Sequence, residues 1–153
     1  MKTMTALLTT TLFWAAAATA GDDLHGAPHM IGAFAGATDP SGEKADLTYG
    51  LEYEYRASRR LGFGLIGERT PDGHHGDGVD VVVAAAHLHV GALRLTAGLG
   101  REWVDGYGSE PLQRLGVAYD IEVGPVALAP TVSVDFVDGH EIPVYGLVVL
   151  RHF

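Results

Sequence analysis

The amino-acid sequence predicts an all-β fold, an eight-stranded antiparallel up-and-down transmembrane β-barrel. Three observations carry that prediction. The chain opens with an export leader, eight later segments alternate apolar and polar side chains with the two-residue period of a strand, and the connections between them alternate in length.

The leader has a positive start at Lys2, an apolar stretch over 7–18 and a small-residue cleavage site at Ala18-Thr19-Ala20. Its apolar stretch is shorter than the ~20 residues of a membrane-spanning helix, so 1–20 reads as a signal peptide. Residues 21–153 then form one domain. No later segment is long and apolar enough to be a spanning helix, so entry into a bilayer would require a closed barrel. Without the leader, nine basic residues face 19 acidic ones, a net charge of −10 that argues against a nucleic-acid partner. Cysteine is absent, which excludes a disulfide framework, thiolate chemistry and an acylated N-terminal cysteine.

The predicted strands are 28–38, 47–56, 61–70, 79–90, 92–104, 112–123, 126–137 and 142–153, each near the ~9–11 residues of a tilted transmembrane strand. In 47–56, Leu47, Tyr49, Leu51, Tyr53 and Tyr55 share one face, opposite Thr48, Gly50, Glu52, Glu54 and Arg56. In 92–104, Leu93, Leu95, Ala97, Leu99 and Trp103 oppose Arg94, Thr96, Gly98, Gly100 and Glu102. Segment 112–123 sets Leu115, Val117, Tyr119, Ile121 and Val123 against Arg114, Gly116, Ala118, Asp120 and Glu122. Segment 126–137 sets Leu128, Val132, Val134 and Phe136 against Thr131, Ser133 and Asp135. Segments 28–38 and 79–90 are rich in Ala, Gly and Val, and their facing is left open. The connections 39–46, 71–78, 105–111 and 138–141 read as outer loops, and 57–60, Gly91 and 124–125 as tight inner turns.

Volume decides which face is inside. An eight-stranded barrel barely holds its own lumenal side chains, yet the apolar face carries about twenty bulky residues. They are therefore expected to meet lipid, while Gly50, Gly62, Gly64, Gly98, Gly100, Gly116 and Gly146 line a narrow lumen. That interior is predicted to hold Glu52, Glu54, Arg56, Glu68, Arg94, Glu102, Arg114, Asp120, Glu122 and Asp135 as a structural ion-pair network. His87 and His89 join it if Val82, Ala84, Ala86, Leu88 and Val90 face lipid. Aromatics follow the two interfaces: Tyr55 and Phe63 flank the inner turn, and Tyr49, Trp103, Phe136 and Tyr145 lie nearer the outer loops.

These residues resemble the small eight-stranded outer-membrane barrels of Gram-negative bacteria, of the OmpA-barrel, OmpW and OmpX type. The resemblance spans 21–153 and includes the ending Tyr145-Gly146-Leu147-Val148-Val149-Leu150-Arg151-His152-Phe153. It implies residence in the outer membrane, contact with outer-membrane lipid, a monomer, and recognition of the strand ending at Phe153 by the barrel-assembly machinery. Arg151 departs from the family pattern, standing where an apolar or aromatic side chain is usual.

The chemistry-bearing candidates are few. The segment Asp72-Gly73-His74-His75-Gly76-Asp77 combines imidazoles and carboxylates suited to a transition metal, with His74, His75 and Asp77 as ligands and His140 and Glu141 as additions from a neighbouring loop. A solvated polar loop is the simpler reading of the same residues. Gly62-Phe63-Gly64 and Gly98-Leu99-Gly100 are strand positions with no phosphate-binding helix behind them, and no organic cofactor is indicated. Ser41, Ser58, Ser109 and Ser133 stand in no recognisable His-containing acyl-transfer arrangement, so no catalytic residue is assigned. The expected role is structural, interactive or narrowly permeative. The alternatives are a soluble barrel holding a small apolar ligand and a membrane-embedded acyl hydrolase.

Overall fold

The computed structural model describes residues 27–40, 42, 44–74 and 76–153; the leader 1–20, Ser41 and His75 lie outside the described residues. The strands are β1 (His29–Thr38), β2 (Asp46–Arg56), β3 (Leu61–His74), β4 (Asp77–Val90), β5 (Leu93–Val104), β6 (Gly108–Tyr119), β7 (Ile121–Val123), β8 (Val126–Val137) and β9 (His140–His152). β7 resumes β6 beyond Asp120, so together they form one of eight staves. Sequential strands pair antiparallel, β1 closes on β9, and β6 and β7 both pair with β8. The result is a closed eight-stranded antiparallel barrel, with no open sheet edge along the shared length of its staves.

Three predicted outer loops are shorter than their composition suggested. Segment 71–78 is mostly strand, segment 105–111 shrinks to 105–107, and 138–141 to Asp138-Gly139. Gly, Asp and His read as loop residues, but pairing continues wherever a tight turn lets the backbone close its hydrogen bonds. Asp138 and Gly139 both have positive φ, 46° and 80°, the requirement of a two-residue type I′ hairpin. Pro71 fits because the β3–β4 register slips between Thr70 and His74, a bulge where its missing N–H costs no ladder bond. Only 39–45 remains a longer connection, so the expected alternation of long and short links is not kept.

The pairing fixes the tilt. Paired residues lead from Ser109 through Trp103, Asp80, Arg69, Tyr49, Ala35 and Leu147 to Pro130. Thr131 pairs with Ala118, so Pro130 returns to the starting stave opposite Tyr119, ten residues along from Ser109. With ~3.3 Å per residue and ~4.8 Å between strands, that stagger over eight staves inclines the strands by about 40°.

Every stave turns its bulky apolar face outward. Leu47, Leu51, Leu65, Leu99 and Leu115 are each more than half exposed, whereas Met30, Leu112 and Leu150 inside are closed off. Charged side chains bracket this outer belt. Arg69 lies ten residues from Arg59 in the inner turn, and Glu141 ten residues from Arg151. Arg69 is opposite Asp80, but Arg101 pairs with Val82 and Gln113 with Leu99. The polar boundary thus steps down from strand to strand, as a level membrane surface must on tilted strands. Ten residues at this tilt span about 25 Å, the height of the apolar band of a transmembrane barrel.

The lumen is more apolar than its charges suggested. Met30 and Phe34 of β1 and Val81, Val83 and Ala85 of β4 point inward, which settles the facing of the two segments whose small residues gave no alternation. Phe34 needs room that two glycines supply. Gly36 and Gly146 are paired across the β1–β9 seam, and a Cβ on Gly146 would lie 2.4 Å from the Ala35 carbonyl oxygen and 2.7 Å from the Phe34 ring. Gly146→Val is therefore expected to abolish the folded, heat-modifiable gel band. Gly67→Val, placed outward where nothing lies within 4 Å, is expected to retain it.

Candidate functional site

Three tiers of charged side chains cross the lumen, each joining staves that are not neighbours. In the outermost, Arg114 of β6 is held by two carboxylates. Its Nε and Nη2 donate to Asp135 of β8, each at 2.6 Å, and its Nη1 and Nη2 donate to Glu68 of β3 at 2.8 and 2.6 Å. Asp135 is the cross-strand partner of Arg114, whereas Glu68 reaches it from the far wall. All three side chains are at most 7% exposed.

In the middle tier, Arg94 Nη1 of β5 donates to Glu52 of β2 at 2.8 Å, and its Nε faces Asp120 Oδ1 at 3.6 Å. That Nε and that oxygen both lack a hydrogen-bond partner, so they are two ends of one slightly long contact. In the innermost tier, Glu54 Oε1 lies 2.6 Å from His89 Nε2, and Arg56 Nη2 lies 3.2 Å from His89 Nδ1. Arginine can only donate, so Nδ1 accepts and Nε2 carries the proton given to Glu54. Gly62 is what admits this carboxylate, since a Cβ there would lie 1.9 Å from Glu54 Oε1. His87 Nδ1 meets its cross-strand partner Thr96 at 3.0 Å.

Two small voids adjoin the outer tiers. One of about 30 Å³ lies between Glu52, Arg94 and Arg114, and one of about 50 Å³ lies between Glu68, Asp135 and Glu102. Each has room for a few water molecules at most. Above them the barrel opens into a vestibule of about 920 Å³ lined by Asp46, Asp72, Glu102, Glu110 and Asp138, with Lys44 and His140 among them. Lys44 pairs with Asp46 at 3.2 Å. On the outer wall below the rim, Arg69 bridges Asp80 and Asp105, and Arg101 donates to Ser109 at 2.9 Å.

Most of the interior predicted from alternation is therefore in place. Glu122 is an exception: it is exposed at the inner opening, because the stave breaks at Asp120 and β7 extends beyond the closed part of the barrel. Glu102 lines the vestibule instead of joining a tier. His87 and His89 are both buried inward.

Of the metal-ligand candidates, His74 ends β3 with its backbone paired to Asp77 of β4, and His75 lies outside the described residues. His140 faces the vestibule with Asp72, while Glu141, one residue on, is on the opposite face of its strand. Among the described residues no three His, Asp or Glu side chains converge as a metal centre. Ser58 is buried in the inner turn, where its Oγ accepts from Leu61 N at 3.0 Å, Ser109 is taken by Arg101, and none of the described serines hydrogen-bonds a histidine. The lumen offers charged tiers where an apolar-ligand barrel would need an apolar cavity.

No family model and no curated protein matches this chain. Its fold is shared with solved structures. Neisserial surface protein A is 15% identical with a TM-score of 0.54, over 82% of this chain and 96% of that one. The N-terminal β-barrel domain of OprF from Pseudomonas aeruginosa is 14% identical with a TM-score of 0.60, over 84% of this chain and 100% of that one. A de novo designed transmembrane β-barrel is 12% identical with a TM-score of 0.52, over 84% and 99% respectively. The chain has the eight-stranded transmembrane-barrel fold that its alternation predicted. That a designed protein shares it underlines that the fold follows from barrel geometry and specifies no activity.

Proposed function

We propose that this chain is an integral outer-membrane protein of a bacterial envelope that acts as a monomeric structural and interaction element, with its lumen closed to ions and no catalytic role. On this reading 1–20 are removed on export, the strand ending at Phe153 is presented to the barrel-assembly machinery, and the outer belt contacts membrane lipid. The observation that carries the closed lumen is Arg114, which reaches across the bore to Glu68 of β3 through two hydrogen bonds and is held by two more to Asp135 on the adjacent stave β8. The vestibule and its short hairpins are then the surface offered to the outside. Its carboxylates favour cationic over anionic approach.

Two measurements test this. Expressed with its leader, the protein is expected to stay in outer membranes through a urea wash and to change gel mobility on boiling. Recovery in a soluble fraction without detergent would remove the membrane reading. In planar bilayers the folded barrel is expected to give no resolvable conductance steps, whereas Arg114→Ala gives them. Steps from the unaltered barrel would replace the structural role with that of a narrow channel.

A further inference from the structure

The two ends of the barrel carry opposite charge. The outer mouth gathers carboxylates, whereas four of the nine basic residues outside the leader lie at the inner end: Arg56, Arg59, Arg60 and Arg151. Arg56 belongs to the lumen through His89 and Glu54. The other three are exposed, and among the described residues none makes an ion pair, with a side chain or with the C-terminal carboxylate. The described carboxylates at this end, Glu54, Asp120 and Glu122, are in the lumen or at its opening.

These arginines stand where lipid headgroups would be. Arg59 and Arg151 mark the inner limit of the ten-residue apolar belt, on staves linked through β1 and β2. The wall between them is aromatic. His29 stacks on Phe153 at 5.5 Å between ring centroids, packs against Tyr55 at 5.5 Å, and its Nδ1 bonds the Tyr53 hydroxyl at 2.7 Å. Tyr55 is paired with Phe63 directly above the turn. The turn itself is fixed, because Ser58 Oγ accepts from the backbone N–H groups of both Arg60 and Leu61, and Ser58 N donates to Leu61 O at 3.0 Å. Arg59 and Arg60 are thus displayed from a pre-organised backbone. Aromatic rings at the acyl boundary with unpaired guanidinium groups just beyond them match the layered chemistry of an anionic phospholipid, and guanidinium is suited to grip phosphate oxygens in pairs.

We propose that the inner rim from β9 to β3 is a binding surface for anionic phospholipid headgroups, with Arg59, Arg60 and Arg151 engaging phosphate and the ring cluster around His29 bearing on the upper acyl chains. This rests on the membrane-barrel reading and extends it to a lipid class and a leaflet. An outward arginine next to Phe153 then serves this rim.

The test uses the folded barrel in phosphatidylcholine vesicles containing a minor fraction of phosphatidylglycerol, with spin-labelled lipids reporting the composition of the protein-contacting shell. Phosphatidylglycerol is expected to be enriched over phosphatidylcholine by about fivefold, the effect of roughly one engaged arginine at an anionic surface. Arg59→Gln with Arg60→Gln, and Arg151→Gln separately, are each expected to lower the enrichment, and lysine at the same positions to restore part of it. Arg69→Gln with Arg101→Gln at the outer rim should leave it intact. A shell with the same proportion of phosphatidylglycerol as the bulk bilayer, or enrichment that survives all three inner substitutions, would overturn the proposal, and so would its loss to added inorganic phosphate at constant ionic strength, which would make free phosphate the ligand. Failure of the barrel to enter vesicles at all would instead overturn the membrane reading.

Discussion

Arg114→Met is expected to lower the unfolding free energy of the detergent-folded barrel by about 3–5 kcal/mol, the cost of stripping a buried charge cluster of one partner. The methionine would leave Glu68 and Asp135 facing each other in a space closed to solvent, with no cation between them. Adding Glu68→Gln and Asp135→Asn removes both stranded charges, so the triple variant should regain most of the loss. Urea titration followed by Trp103, the only tryptophan outside the leader, reads both results. A single variant as stable as the parent would mean that the tier is solvated and that Arg114 does not hold the walls together.

Leu65→Lys is expected to be comparably damaging for a different reason. Leu65 lies near the middle of the belt between Arg59 and Arg69, faces outward and is 58% exposed to what surrounds the barrel. A charge at that depth destabilises a transmembrane barrel by about 2–4 kcal/mol, and the penalty fades toward the interfaces. In lipid vesicles Leu65→Lys should therefore fold poorly or unfold at markedly lower urea, as should Val117→Lys at the same depth on β6. Gln113→Lys, at the outer boundary, should be almost without effect. If all three variants behave alike, the apolar face does not meet lipid and the inside-out assignment fails.

Much of this arrangement is legible in the residue order alone. The alternation of Leu47 to Tyr55 against Thr48 to Arg56 named two faces, and the volume of the apolar set decided which one pointed out. Segments β1 and β4 gave no such signal, because a run such as Val81-Val82-Val83-Ala84-Ala85-Ala86 looks the same on both faces. Their inward residues were fixed only by pairing with neighbours whose facing was clear, Val83 opposite Gly100 and Phe34 opposite Gly50. The outer hairpins look like loops in sequence for a similar reason: glycine, aspartate and histidine mark turns by composition, and composition carries no record of backbone pairing.

The strand count, the polar lining and the apolar exterior are written in the residue order, since each follows from side-chain period and size within a single segment. Which charges meet is set by the closed barrel. Glu52 and Arg94 are 42 residues apart, Glu68 and Arg114 are 46 apart, and neither pair lies on adjacent staves. Their contact depends on the ten-residue stagger that closes the barrel, a sum over every pairing in the sheet. A stagger larger or smaller by two residues would keep the same inward residues and set them at other heights, with other partners across the lumen.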